Sequence, residues 1–264
     1  MKSFTPVSCA CNRIVLVCCA LLLGSCVTSP TGRSQFIMVG DQEMNSMGQQ
    51  AFAQMKQQKP PVQDAAANAR VECVVNALTT TLGADMRSGW EIRVFVDDTP
   101  NAFALPGKKV GVHTGMLKLV QNDAQLAAVI GHEIGHVLAK HANERASIGM
   151  LQQVTQEVAG QINPVAASVF GLGTQLGVML PFSRTQEAEA DIIGQEMMAR
   201  AGFDPQESVA LWRLMEKKEG DGPPEFLSTH PSGNERINQL GKNLYKASPL
   251  YRQAQAAGKH PRCH

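Results

Sequence analysis

The chain has 264 residues, 44% of them hydrophobic and 18% charged, with 24 basic against 23 acidic side chains. So even a balance excludes the basic footprint that nucleic-acid binding requires, and the length suits one domain with a substantial core. Five of the seven cysteines (Cys9, Cys11, Cys18, Cys19 and Cys26) fall in or at the edge of the amino-terminal leader, which leaves too few for a disulfide scaffold or a cysteine-rich structural zinc site.

Lys2 and Arg13 precede an apolar run from Ile14 to Leu23, too short to span a bilayer but suited to the core of a secretory leader. Leu23-Gly24-Ser25-Cys26 then reads as a lipobox, so residues 1–25 are expected to be removed and Cys26 to be lipidated; a plain leader cut nearby is the alternative. Loss of Lys2 and Arg13 leaves 22 basic against 23 acidic residues in a mature chain of 239, which is 264 less 25. Val27 stands where an aspartate would suggest retention at the inner membrane, so the periplasmic side of the outer membrane is expected, with a soluble periplasmic protein as the alternative. Residues 26–40 read as a lipid-anchored tether and residues 41–264 as a single domain.

Within that domain a helix is expected from about Asp41 to Gln58, and a second from about Val62 to Leu82 after the break at Pro60-Pro61. Glu91 to Val96 alternates with period two as a strand does, and Phe103–Leu105 with Lys109–His113 supply two more; these three are expected to form the only sheet. Residues 146–180, rich in Gly, Ala and Val and broken by Pro164, Gly171, Gly173 and Gly177, read as a mobile helix pair walling or covering a cleft. Their apolar part, Val165 to Leu180, is too short for a membrane span. Further helices are expected to end at about Ala201 and to cover about Pro205–Glu219, Glu235–Leu244 and Leu250–Ala257, giving an α+β, mainly helical fold.

The chemistry is concentrated in a helix that Asn122-Asp123 can cap and that Leu126, Ala127, Val129, Ile130, Ile134, Val137 and Leu138 make apolar at helical spacing. It contains His132-Glu133-Ile134-Gly135-His136. Four residues turn through roughly 400°, so the two imidazoles are offset by only about 40° and can share one metal ion. Glu133 is one position on, placed to act on a water rather than as a ligand. Gly131 and Gly135 would let a neighbouring strand or helix approach closely.

A third ligand is required. His141 lies about 140° around a continuous helix from His136 and is expected to face away. Glu187 and Asp191 are four apart and share a face, whereas Glu189 projects about 200° from Glu187 and is expected to meet solvent. Glu187 is therefore the candidate ligand, with Asp191 holding the outer nitrogen of a ligand histidine; an acidic first turn complementing the helix dipole is the alternative for both. An oxidising compartment permits Cys73 and Cys263 to pair, although nothing in the sequence brings them together.

With Ser228-Thr229-His230-Pro231-Ser232, Glu235-Arg236-Ile237 and Asn101-Ala102-Phe103-Ala104-Leu105-Pro106-Gly107 added, the chain resembles the gluzincin peptidases that include the CAAX prenyl protease, HtpX and the Oma-type proteases. The resemblance spans roughly residues 35–245, most resembles the small bacterial periplasmic lipoprotein members, and shows no period of about 34 residues that would mark tetratricopeptide repeats. It implies a zincin-like metallopeptidase domain with its small sheet beside the active-site helix, and one zinc ion per chain on His132, His136 and Glu187. Glu133 is then the general base of an endopeptidase acting on misfolded or unassembled envelope proteins. The resemblance also brings His230 and Arg236 near the zinc as oxyanion donors; His230 as a resting zinc ligand, or as a solvent-facing turn residue, are the alternatives. It makes Asn101, Ala102, Phe103 and Ala104 the sheet edge that binds substrate, an ordinary loop being the alternative. Two other classes compete: a non-cleaving chaperone or binding module, against which the intact Glu133 counts, and a redox metal site, which would need a Glu-x-x-His repeat that is absent.

Overall fold

The computed structural model describes residues 26–158, 182–217, 225–231 and 233–263. At its start, β1 (Cys26–Thr28) and β2 (Ser34–Phe36) form an antiparallel hairpin with Val27 opposite Gln35. This corrects the expectation of a tether: Ser29 and Gln35 are buried, and Arg33 reaches two carboxylates deep in the domain. The short polar stretch folds because its side chains find buried partners. The hairpin also means that the central sheet is not alone.

Helix α1 (Asp41–Gln58) carries Asp41 and Glu43 in its first turn and Lys56 in its last, the polarity its dipole favours. Helix α2 (Ala65–Thr79) begins three residues later than expected, because Pro61 and Val62 stay extended: Val62 donates its amide to Val94 O at 2.9 Å, and Asp64 caps the helix. Strands β3 (Glu91–Phe95), β4 (Ala102–Leu105) and β5 (Lys109–His113) form the expected three-stranded sheet in the order β3-β5-β4, parallel between β3 and β5 and antiparallel between β4 and β5. One edge is therefore β4. Gly111 of β5 lies under the ring of Phe103, where an added Cβ would sit 2.1 Å from the ring carbon Cζ.

After the short α3 (Thr114–Leu119), α4 (Asp123–Leu138) runs through the core, with Asn122 Oδ1 accepting the Gln125 amide at 2.8 Å as its cap. Leu126, Ile130 and Ile134 are fully buried with Val71, Val74 and Leu78 of α2 and Val110 and Val112 of β5. Each such side chain contributes about 1.5–3 kcal/mol by leaving water. The helix stops at Ala139; Lys140, at φ 51°, turns the chain before α5 (His141–Val158). The expected helix pair over 146–180 thus has its beginning in α5, and its remainder, 159–181, lies outside the described residues.

Helix α6 (Arg184–Ala201) opens with a capping box between Ser183 and Gln186 and ends at Gly202, whose φ of 95° suits a residue without a Cβ. It crosses α4 at glycine contacts: a Cβ on Gly194 would meet the backbone of Gly131 and His132 at 2.7 Å, and one on Gly135 would meet Ala190 O at 2.8 Å. The close neighbour that Gly131 and Gly135 admit is thus a helix. Helices α7 (Gln206–Lys217), α8 (Glu225–Thr229) and α9 (Asn234–Ala256) complete the body. The sequence suggests two helices where α9 is one; it continues through Pro249 because Leu240, Ala247 and Ala254, seven apart, form a buried stripe spanning it. A disulfide joins Cys73 of α2 to Cys263, and the Cys263 amide donates to Asp123 Oδ2 at 3.0 Å, so the C-terminal tail is fastened beside the start of α4. Among the described residues no helix is long and apolar enough to cross a membrane.

Candidate metal centre

The contact between α4 and α6 sets the site. Because glycines meet at the crossing, the two helix axes lie close enough for Glu187, in the first turn of α6, to face His132 and His136. Its Oε2 is 3.4 Å from His132 Nε2 and its Oε1 is 3.5 Å from His136 Nε2, while the two imidazole Nε2 atoms are 3.1 Å apart. His230, just beyond α8, enters the same space with Nδ1 at 3.0 Å from Glu187 Oε1 and 3.2 Å from His132 Nε2. One ligand atom from each of His132, His136, Glu187 and His230 lies within 4.8 Å of the others, and all four residues are buried. His230 is therefore not a solvent-facing turn residue. Its ring stacks between Phe226, at 4.5 Å, and Phe182, at 5.3 Å.

Each helix histidine is held from behind. His132 Nδ1 donates to Asp191 Oδ1 at 2.9 Å, and Asp191 takes two parallel bonds from Arg236: Nη2 to Oδ1 at 2.7 Å and Nε to Oδ2 at 2.8 Å. The guanidinium also lies over the Trp212 ring at 3.8 Å and reaches Glu187 Oε2 at 2.6 Å. These contacts, with those to the His230 and Pro231 carbonyls, hold the Arg236 guanidinium behind His132 and Glu187.

Behind His136 stands His141. Their Nδ1 atoms are 2.8 Å apart, and His141 Nε2 is 3.1 Å from Glu189 Oε2. Neither His141 nor Glu189 faces out as the helical wheel suggests; both are buried. The break at Lys140 resets the helical phase before His141, and Glu189 points to the hairpin, where Arg33 and Thr31 bond to it. A carboxylate two residues from the candidate ligand Glu187 is visible in the sequence, but its partner Arg33 is 156 residues away.

Electrostatics follow from this arrangement. Burial would lower His132, but its hydrogen bond to Asp191 and the adjacent carboxylate of Glu187 outweigh that and hold it at about 9. Burial drives His136 well below the usual imidazole range, its outer partner being an imidazole that burial also lowers. Burial raises Glu133; it opposes the fall of Glu187, which the charges of His230 and Arg236 nonetheless hold well below the usual carboxylate range. Asp191 is lowered likewise, Arg236 outweighing its burial.

Glu133 Oε1 and Glu187 Oε2 are buried without a hydrogen-bond partner; Arg236 Nη1, though 2.6 Å from the latter, is not aligned to donate to it. Convergent imidazole nitrogens and carboxylate oxygens, with two oxygens unsatisfied, fit a divalent transition metal. His132, His136 and Glu187 could hold it, with His230 within reach as a fourth. Glu133 is also 3.3 Å from His230 Nε2 and bonded by the Ala104 amide of the edge strand β4, which places that edge against the cluster. Asn101, Ala102 and Phe103, the rest of the expected edge, are buried beside it. Phe182, Phe226 and Trp212, which wall the histidines, carried no pattern in the sequence that distinguishes them from ordinary core.

Residues 65–244 match the model of peptidase family M48. The mitochondrial metalloendopeptidase OMA1 of Saccharomyces cerevisiae is 40% identical over 179 residues, covering 62% of this chain and 50% of its own length. That of Arabidopsis thaliana is 38% identical over 169 residues, covering 63% and 34%. The beta-barrel assembly-enhancing protease of Yersinia pestis is 28% identical over 225 residues, covering 79% and 45%. The chain thus spans between 34% and 50% of the length of these curated relatives.

Proposed function

The chain belongs to peptidase family M48, and on that premise we propose that it is a zinc-dependent endopeptidase. The observation that carries this reading is Glu133 Oε1, buried without a hydrogen bond and 3.3 Å from Nε2 of His230, a member of the convergent group with His132, His136 and Glu187. One zinc ion would be held by His132, His136 and Glu187. Zinc, when bound, supplies Lewis acidity that polarises a carbonyl oxygen and acidifies a water. Glu133 takes the proton of the attacking water and hands it to the nitrogen of the leaving amine, work suited to a carboxyl that burial has raised. His230 donates a hydrogen bond to the developing oxyanion, or stands at the open position at rest; His230→Ala is expected to lower or deregulate turnover with zinc still bound. Asp191 and Arg236 keep His132 and Glu187 aimed. An extended substrate adds as a strand along β4, using main-chain bonds that ignore sequence.

The relatives named as beta-barrel assembly-enhancing proteases support substrates among misfolded or unassembled envelope proteins. The leader over 1–25 and the lipobox support lipidation at Cys26 and an address on the periplasmic side of the outer membrane. The domain would then follow the anchor almost at once, through the folded hairpin. Casein cleavage with and without a chelator tests the activity. Glu133→Gln is expected to retain stoichiometric zinc and lose about 10²–10⁴-fold in rate; wild-type turnover in that variant would eliminate the proposed chemistry.

A further inference from the structure

The hairpin at the start of the domain ends, through three side chains, on the outer nitrogen of His136. Arg33 spreads its guanidinium over two buried carboxylates: Nη1 and Nη2 donate to Glu144 Oε1 and Oε2 at 2.6 and 2.8 Å, and Nε donates to Glu189 Oε2 at 2.9 Å. Glu189, a carboxylate, can only accept, so the hydrogen of its 3.1 Å contact with His141 sits on His141 Nε2. A neutral imidazole with its hydrogen on Nε2 has a bare Nδ1. That bare atom is 2.8 Å from Nδ1 of His136, and in this pair only His136 can donate. The donation leaves Nε2 of His136 bare, and Nε2 is the atom that points at His132 and Glu187.

We infer that Arg33, Glu189 and His141 form a positioning relay that fixes the ring tautomer of His136, so that the contact of Arg33 with Glu189, rather than the hairpin's attachment in general, sets the metal affinity of the centre. The inference rests on the metal-centre reading above. Were the relay broken, His136 could carry its hydrogen on either nitrogen, and the form with Nε2–H cannot bind metal. None of the three relay residues touches the point where the four candidate ligands converge; their effect passes through His136. The hairpin has a second hold, Gln35 Nε2 donating to Ala139 O at 2.6 Å and to Glu144 Oε2 at 3.4 Å, which fastens it without touching Glu189 or His141.

The full chain is compared with Arg33→Ala, Glu189→Gln and Gln35→Ala by two measurements. Imidazole ¹⁵N shifts of the metal-free proteins report the His136 tautomer, and competition with a chromophoric chelator reports zinc affinity, with melting curves establishing that each variant is folded. The expected result is a single Nδ1–H form of His136 in the unsubstituted chain, a mixture in Arg33→Ala and Glu189→Gln, and a loss of roughly 10-fold or more in zinc affinity for both. Gln35→Ala is expected to melt earlier but keep the tautomer and the affinity. An unchanged tautomer and affinity in folded Arg33→Ala and Glu189→Gln would overturn the relay, as would an equal loss in Gln35→Ala, which would reduce Arg33 to holding the hairpin. An unsubstituted chain that shows the Nδ1–H form but takes up no zinc would overturn the metal-centre reading and with it the effect on affinity, a failure distinct from that of the tautomer itself.

Discussion

His132 and His136 stand one helical turn apart and turn the same nitrogen to the same point, yet the supports behind them come from opposite ends of the chain. Behind His132 is an anion at first remove: Asp191, gripped in two bonds by Arg236 of α9, both residues buried. Behind His136 the anion is one ring further away, beyond His141, and its cation Arg33 comes from the hairpin with a side chain 24% exposed. The difference shows in the rings themselves, His132 being held up at about 9 and His136 driven down. The C-terminal support is built into the core, where water cannot replace a lost partner. The N-terminal support can be loosened while the core stays intact.

Substitution should bring this contrast out most strongly at Asp191. Asp191→Ala leaves Arg236 buried without its doubly bonded carboxylate and is expected to cost about 3–5 kcal/mol in urea unfolding, whereas Arg33→Ala should cost less, because the Arg33 side chain is 24% exposed and water can enter beside Glu144 and Glu189 when it is removed. Equal losses would erase the distinction. Next in size is the response to metal: zinc at a hundredfold over its dissociation constant should stabilise the unsubstituted chain by about 2.7 kcal/mol, and chelation should remove this gain. Asp191→Ala and Glu189→Gln should each shrink the zinc-induced rise in melting temperature, because both supports aim a ligand.

A smaller effect is expected at Glu133, which neither support neutralises. Burial raises its carboxyl above the ordinary glutamate value, so the folded chain binds this proton more tightly than the unfolded chain does. The associated stability is full below pH 4.5 and is lost as pH rises toward the folded value. Glu133→Gln should therefore stabilise the metal-free protein at pH 7 and lose that advantage in acid, as calorimetry across pH would show. Asp191 and Glu189 have the opposite sign: both are depressed, so their contribution is present above their usual range and is lost only as pH falls through the lower folded values. The smallest effect is that of salt. Raising ionic strength should diminish the cost of Arg33→Ala somewhat and leave that of Asp191→Ala nearly unchanged, since Arg33 is partly exposed and Arg236 and Asp191 are buried.

The elements most faithfully encoded are those whose signals are local. Helix α1, the strands β3 to β5 and the capped start of α4 can all be read from periodicity and end residues, and so can the face shared by His132, His136, Glu187 and Asp191 on two helices. Where a local rule was extended across a break it misled. The angle assigned to His141 assumed that α4 continued past Lys140, and the angle assigned to Glu189 assumed that a residue pointing away from Glu187 points into water. The polar stretch from Thr28 to Ser34 resembled a linker because a hydrogen-bonded hairpin and a solvated chain share that composition.

The backbone repeats every few residues, so amphipathic spacing, caps and the four-residue offset of the two imidazoles suffice to define a candidate metal-binding hand and the helices that bear it. Which groups brace that hand depends on contacts between residues far apart in the chain, such as the 156 positions between Arg33 and Glu189 or the 45 between Arg236 and Asp191. No periodic pattern spans such distances. They are bridged only when burial of the core brings α4, α6, α9 and the hairpin together, and the buried charges must then find one another.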